Sequence, residues 1–145
     1  MKSKASSYVV NGRLSDVLAL IQVLALDKHA HRSAEGLARG LQGPPGSASS
    51  WSDVAEKHPE FFRLSSGTNR VSLVARHVTP READDSRKPL DADYTATLLE
   101  LAVELHDREV KRAERWQVWM PLAVAITAGV FTVFGVLLKS VLDVN

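Results

Sequence analysis

Residues 50–64, SWSDVAEKHPEFFRL, carry within one stretch the signals of a helix, of its end and of a following strand. Ser50 is a good N-cap because its hydroxyl can accept a hydrogen bond from a free amide of the first turn, and Asp53 stands three residues later, in capping-box position. Pro59 ends the helix, since proline has no amide hydrogen to donate. Residues 62–64, FRL, then alternate between apolar and polar, as in a half-buried strand. The stretch therefore predicts a short helix followed by a strand.

Two more helices are predicted before this stretch and one more strand after it. Apolar residues recur at helical spacing over residues 14–26. Ser33 can cap a shorter helix, AEGLARGL, which stops before the loop GPPGSAS, where prolines and glycines exclude regular structure. Val71, Leu73 and Ala75 alternate beyond the turn SSGTN, so this segment completes a β-hairpin.

This order of elements, over residues 11–78, resembles the winged-helix (winged helix-turn-helix) family. The segments LSDVLALIQVLA, SAEGLARGL, WSDVAEKHPEFFRL and NRVSLVAR would be its three helices and its wing. The resemblance implies that the third helix and the wing form a contact surface for a partner. Its candidate residues are Trp51, Ser52, Lys57, Arg63, Asn69, Arg70 and Arg76.

The charge of the third helix favours a protein partner over DNA. Asp53 and Glu56 outweigh Lys57 there, and the helix offers no arginine that could read guanine. The wing is better supplied with arginine, so DNA contact remains an alternative. A purely structural role for this domain is a third possibility.

The sequence ends in an uncharged run from Val118 to Leu138, VWMPLAVAITAGVFTVFGVLL. As a helix the run is about 31 Å long, which matches a bilayer core of roughly 30 Å. The sequence therefore predicts a single transmembrane helix, with the N-terminal domain in the cytoplasm and the C-terminus outside the cytosol. Aromatic and basic residues at and before the start of the run fit the cytosolic membrane interface, where the basic side chains could also touch anionic lipid. They are Arg108, Lys111, Arg112, Arg115, Trp116 and Trp119.

Two rows of residues at heptad-like spacing, called seams below, predict self-association. In the uncharged run, small or compact residues recur at heptad-like spacing and would let two helices approach closely. These residues are Pro121, Ala125, Ala128, Thr132 and Gly135. In the preceding segment, a second seam consists of Tyr94, Leu98, Leu101 and Leu105, and Leu99, Val103 and Val110 form a further face. The leucines need a surface to pack against. This cover is either the chain's own N-terminal domain or the same helix of another copy, and the second is slightly favoured.

The predicted fold class is thus a small α+β winged-helix domain followed by a long, mostly helical connector and one transmembrane helix. The expected boundaries are a cytosolic domain at 1–78, a flexible linker at 79–90, an amphipathic juxtamembrane helix at 91–117, the span at 118–138 and a short tail at 139–145.

Enzymatic chemistry is not expected. The chain contains no cysteine, and its five histidines include one close pair, His29 and His31, which is too few ligands for a metal site. No phosphate loop, nucleophile elbow or dinucleotide fingerprint occurs, so no cofactor or small-molecule substrate is predicted.

The predicted function is a membrane-anchored binding module that self-associates and docks a cytosolic protein. Its layout is similar to that of small effector subunits of bacterial antiphage systems. The alternatives are a membrane-tethered DNA-binding transcription regulator and a simple membrane adaptor that does not oligomerise.

Overall fold

A computed structural model describes residues 8–65, 67–80 and 87–142, without the side chains of residues 116–118, 120, 122–123 and 128–142. The chain divides into two compact units, Met1–Glu109 and Val110–Asn145. The elements, in chain order, are α1 (Arg13–Leu26), β1 (His31–Ser33), α2 (Ala34–Gly40), α3 (Trp51–Lys57), β2 (Phe62–Leu64), β3 (Arg70–Leu73), a 3-10 helix (Val74–Val78) and α4 (Ala92–Leu142).

Side-chain caps fix where three of the helices begin. The Ser33 hydroxyl accepts a hydrogen bond from the Gly36 amide, 3.1 Å away, at the start of α2. The Ser50 hydroxyl accepts one from the Asp53 amide at 3.1 Å, which confirms the predicted cap of α3. A carboxylate oxygen of Asp91 accepts a hydrogen bond from the Tyr94 amide at 2.7 Å and so begins α4. Each cap satisfies a donor that the helix itself cannot pair.

The strands form an antiparallel sheet in the order β1-β3-β2. Phe62 opposes Leu73 in the predicted hairpin, and His31 opposes Ser72 on the other side of β3. Strand β1 was not predicted from the sequence, because it spans only His31–Ser33 and its ladder depends on β3, far along the chain.

The core of the first unit lies between α1, α3, the sheet and the first turns of α4. Helix α1 contributes fully buried Val17, Leu20, Ile21 and Leu24. Ala102 of α4 is also fully buried, and Leu98 and Leu105 pack on the same core. The start of α4 is therefore part of this domain.

The winged-helix prediction is corrected by these observations. They support a small α+β domain with a three-stranded antiparallel sheet, and they do not identify the family. The prediction described a three-helix and hairpin unit that ended at residue 78. The structure adds β1 to the sheet, continues β3 into a 3-10 helix and completes the core with Leu90 and Ala102.

The prediction of a transmembrane helix at 118–138 is also corrected. Within the residues that the structure describes, no helix is both long enough and apolar enough to cross a membrane. The single-pass localisation that rested on the span is wrong for the same reason.

Candidate docking groove

A surface groove of about 480 Å³ lies between α1 and the first half of α4, within the first unit. The docking groove, as it is called below, has apolar side chains from both helices and acidic side chains along α4. Its lining residues are Leu18, Gln22, Leu99, Glu100, Val103, Glu104 and Asp107.

Helical spacing brings the lining side chains to the same place. Leu18 and Gln22 are four residues apart on α1, so they lie on one face, one turn apart. Leu99, Val103 and Asp107 repeat the spacing on α4, and Glu100 and Glu104 form the neighbouring row. Val103 keeps 39% of its surface exposed, so an apolar partner can contact it.

The core contacts of α4 hold it in place beside α1. The Leu90 amide, just before α4, donates a hydrogen bond to the carbonyl oxygen of Ala25 at 2.9 Å. Ala102 is fully buried, whereas Val103, the next residue, points to the groove. One side of α4 thus belongs to the core, and the adjacent side forms a wall of the docking groove.

The charge of the docking groove is acidic. Glu100, Glu104 and Asp107 line it, and among the residues that the structure describes no basic one does. One carboxylate has a partner on its own helix, because Arg108 donates a hydrogen bond to Glu104 at 2.6 Å. Both side chains of this i, i+4 pair are more than half exposed, so the pair stabilises the helix by only about 0.3–0.5 kcal/mol. Arg108 can therefore exchange partners at little cost.

The structure exposes some of the residues that were predicted to contact a partner through the third helix and the wing, and it buries the others. Lys57, Arg63, Asn69 and Arg70 are exposed. Trp51, Ser52 and Arg76 are buried.

Two of the three buried members of this set, Trp51 and Arg76, have structural hydrogen-bond partners. The indole nitrogen of Trp51 donates a hydrogen bond to the carbonyl oxygen of Gly43 at 2.9 Å. Arg76 is fully buried and donates to the carbonyl oxygens of Leu24 and His29, each at 3.1 Å. The predicted DNA contact, which relied on the winged-helix resemblance, thus has no support here.

The predicted seam on α4 also has two parts. Leu98 and Leu105 are half-buried against the domain's own core, whereas Tyr94 and Leu101 are each 43% exposed. The chain's own domain, the first of the two covers that the sequence allowed, thus covers two of the four seam residues. Leu99 and Val103, which the sequence placed on the further face of this helix, line the docking groove.

The remaining predicted residues lie on the second half of α4. Arg108, Lys111, Arg112 and Arg115 are exposed, as are Trp119, Pro121 and Ala125. The side chains of Trp116, Ala128, Thr132 and Gly135 lie outside the described ones.

Sequence reasoning missed most of the docking groove. Leu18, Gln22 and the three carboxylates were not identified, because helices about 80 residues apart in the sequence form its walls. The acidic composition of residues 82–107 was a visible signal, but periodicity within α4 does not reveal which helix packs beside it.

Comparison with protein-family models finds no match for the chain, and no curated protein or solved structure matches it.

Proposed function

We propose that this protein is a non-enzymatic docking module whose α1–α4 groove binds a helical segment of another protein chain. The observation that carries the proposal is the acidic, partly apolar docking groove, which is built by two helices and is open to solvent. An amphipathic helix binds such a groove by inserting apolar residues spaced by one turn.

The chemistry of the lining defines the class of partner. Leu18, Leu99 and Val103 suit aliphatic anchor residues, whose burial stabilises a complex by roughly 25 cal/mol per Å² of apolar surface. The carboxylates of Glu100, Glu104 and Asp107 attract lysine or arginine at the flanks of the anchors, and they repel an acidic helix. The partner is thus a basic amphipathic helix.

The test uses a fluorescein-labelled synthetic helix with leucine at i and i+4 and lysine on both flanks, together with the same helix carrying glutamate for lysine. We expect full-length protein to raise the anisotropy of the basic probe, more weakly at high salt, and to leave the acidic probe unchanged. Val103→Glu should weaken binding about tenfold or more, because it places a charge where an apolar anchor sits.

Two matched variants control this experiment. Val78 is 78% exposed and does not line the groove, so Val78→Glu should bind like the wild type. Glu56→Lys changes the net charge as much as Glu100→Lys does, but only the second lies in the groove. Equal binding by the Glu56 and Glu100 variants, or tight binding of the acidic probe, would contradict the proposal.

A further inference from the structure

The two walls of the docking groove differ in charge. Helix α1 has two charged residues, Arg13 and Asp16, and both are buried and bonded to the loop that precedes α3. Its side chains in the groove are those of Leu18 and Gln22, which carry no charge. All the acidic side chains of the described lining belong to α4. The α1 wall is therefore neutral, and the α4 wall is negatively charged.

Two of the carboxylates lie on the side of α4 that is farther from α1. Successive residues turn by about 100° around a helix, so each position on α4 can be placed relative to the buried Ala102. Leu99 and Val103 lie about 60° and 100° from it. Glu100 and Glu104 lie about 160° and 200° from it in the same sense, and both are exposed. Because α1 packs on the same core as Leu99, the two apolar residues form the floor of the groove, and the two glutamates form its acidic rim.

A helix in the docking groove therefore meets the acidic rim on one flank only. Its apolar anchors contact the floor, which Leu18 completes from α1. The flank toward the acidic rim gains from lysine or arginine, whereas the flank toward α1 meets uncharged side chains. The exposed ion pairs at the rim are individually weak, but they form in one direction of the bound helix and not in the other.

The handedness of the α-helix links the position of these basic residues to the direction of the bound helix. Basic residues directly before each anchor lie on one flank of the anchors, and basic residues directly after each anchor lie on the other. A helix of the first kind turns its basic flank to the acidic rim when it runs parallel to α4. A helix of the second kind does so when it runs antiparallel to α4.

We infer that the docking groove fixes the direction of its partner helix, and that this partner carries its basic residues on one flank of its anchors. The inference rests on the proposed function, because it describes the partner of the same groove. Glu100 and Glu104 determine the direction. A partner with basic residues directly before its anchors binds parallel to α4, and a partner with basic residues directly after them binds antiparallel.

Two synthetic helices of the same composition test the inference on the full-length chain. The first has lysine directly before each leucine anchor, the second has lysine directly after it, and each carries one cysteine at its N-terminus. The chain has no native cysteine, so Ala96→Cys and Asp107→Cys, in separate variants, mark two positions about 16 Å apart along α4. Ala96 is exposed one turn before Glu100, and Asp107 lines the other end of the groove.

The result is read as disulfide-linked product under mild oxidation. At position 96 the first probe should crosslink at least about fivefold more than the second, and at position 107 the second should crosslink at least about fivefold more than the first. Comparing the two probes at the same cysteine removes any difference in reactivity between the two positions.

Glu100→Gln combined with Glu104→Gln removes the charge of the acidic rim and keeps the apolar floor. In this background the two probes should crosslink equally at each position, because the two directions no longer differ in charge. Glu56→Gln, which is exposed and lies outside the groove, should keep both preferences.

Three outcomes overturn the inference: equal crosslinking of the two probes at both positions, the same preferred direction for both probes, and a preference that survives the loss of both glutamates. Failure of the proposed function is distinguishable from these outcomes by fluorescence anisotropy. If both probes bind without a preferred direction, then the groove docks a basic helix and does not set its direction. If neither probe binds, then the proposed function fails as well.

Discussion

Arg76 is a fully buried arginine on the 3-10 helix that follows β3. It follows the alternating residues of the second hairpin strand, and that pattern predicted an exposed side chain at 76. Strand β3 instead ends at Leu73, and a 3-10 helix carries residues 74–78. This change of backbone conformation turns Arg76 into the core, where its guanidinium joins the end of α1 to the segment before α4 through the carbonyl oxygens of Leu24 and Arg87.

We expect Arg76→Met to lower the free energy of unfolding by about 3 kcal/mol, because several carbonyl oxygens, including that of buried Leu24, lose their charged donor. Arg76→Lys should fall between wild type and the methionine variant, since an ammonium lacks the planar fork that reaches several carbonyls. Urea unfolding followed by circular dichroism measures both changes. A methionine variant as stable as wild type would show that the network is dispensable.

Glu60 links the N-terminal segment to the end of α3. The Tyr8 hydroxyl donates a hydrogen bond to its carboxylate, and the ring nitrogen Nδ1 of His58 lies 3.0 Å from the same oxygen. Partial burial acts to raise the pKa of Glu60, but the hydrogen bonds from His58 and Tyr8 outweigh it, and the pKa lies below the ordinary value of 4.5. Burial and the bond to Glu60 raise the pKa of Tyr8, so it remains a donor.

A lowered carboxyl pKa stabilises the fold above the ordinary pKa, and this stabilisation is lost as the pH falls through the lowered one. We therefore expect the free energy of unfolding to decrease as the pH falls below about 4.5. The slope should be shallower in Glu60→Gln, which cannot titrate. Denaturant unfolding between pH 7 and pH 3 measures the slope, and equal slopes in the two proteins would exclude Glu60 as a contributor.

At the scale of elements, Asp16 of α1 holds the loop that precedes α3. Its two carboxylate oxygens accept hydrogen bonds from the amides of Gly46 at 3.1 Å and Ser47 at 2.8 Å. Arg13, one turn earlier, donates to the Ser47 carbonyl oxygen at 2.8 Å. These bonds fix a segment that its prolines and glycines keep irregular, and so they position the start of α3.

Asp16→Ala should lower the free energy of unfolding by about 2 kcal/mol, because the amides of Gly46 and Ser47 lose a charged acceptor. Asp16→Asn, which keeps one acceptor oxygen, should lose less. Thermal unfolding ranks the two variants, and hydrogen exchange at Gly46 and Ser47 shows whether the loop is released. Unchanged exchange at both amides in the alanine variant would contradict the role of Asp16.

The elements differ in how far local sequence determines them. Helix α1 and the hairpin strands follow from periodicity, and α3 follows from the Ser50 cap and Pro59, because these signals act within a few residues. Strand β1 could not be predicted, since three residues carry no period and its pairing with β3 is a tertiary contact. The seam at Leu98 and Leu105 was recognised as apolar, but its cover, the domain core, is not encoded locally.

At the scale of the whole molecule, the account depends on the docking groove. Predictions of a winged-helix family and of a membrane span came from element order and from one uncharged run, and neither feature specifies a tertiary contact. The groove is a tertiary property that joins Leu18 of α1 to Val103 of α4. The basic partner proposed above rests on the acidic lining of the groove and not on a family resemblance.

The most direct test places a reporter in the docking groove. Because the chain has no native cysteine, Gln22→Cys can carry an environment-sensitive dye at an exposed lining position, and Arg39→Cys can carry the same dye on α2, outside the groove. On addition of the basic probe helix, we expect the emission of the dye at position 22 to change with the probe's binding curve, and the dye at position 39 to stay constant. Binding of the probe without a change at position 22, or with equal changes at both positions, would contradict the assignment of the groove as the docking site.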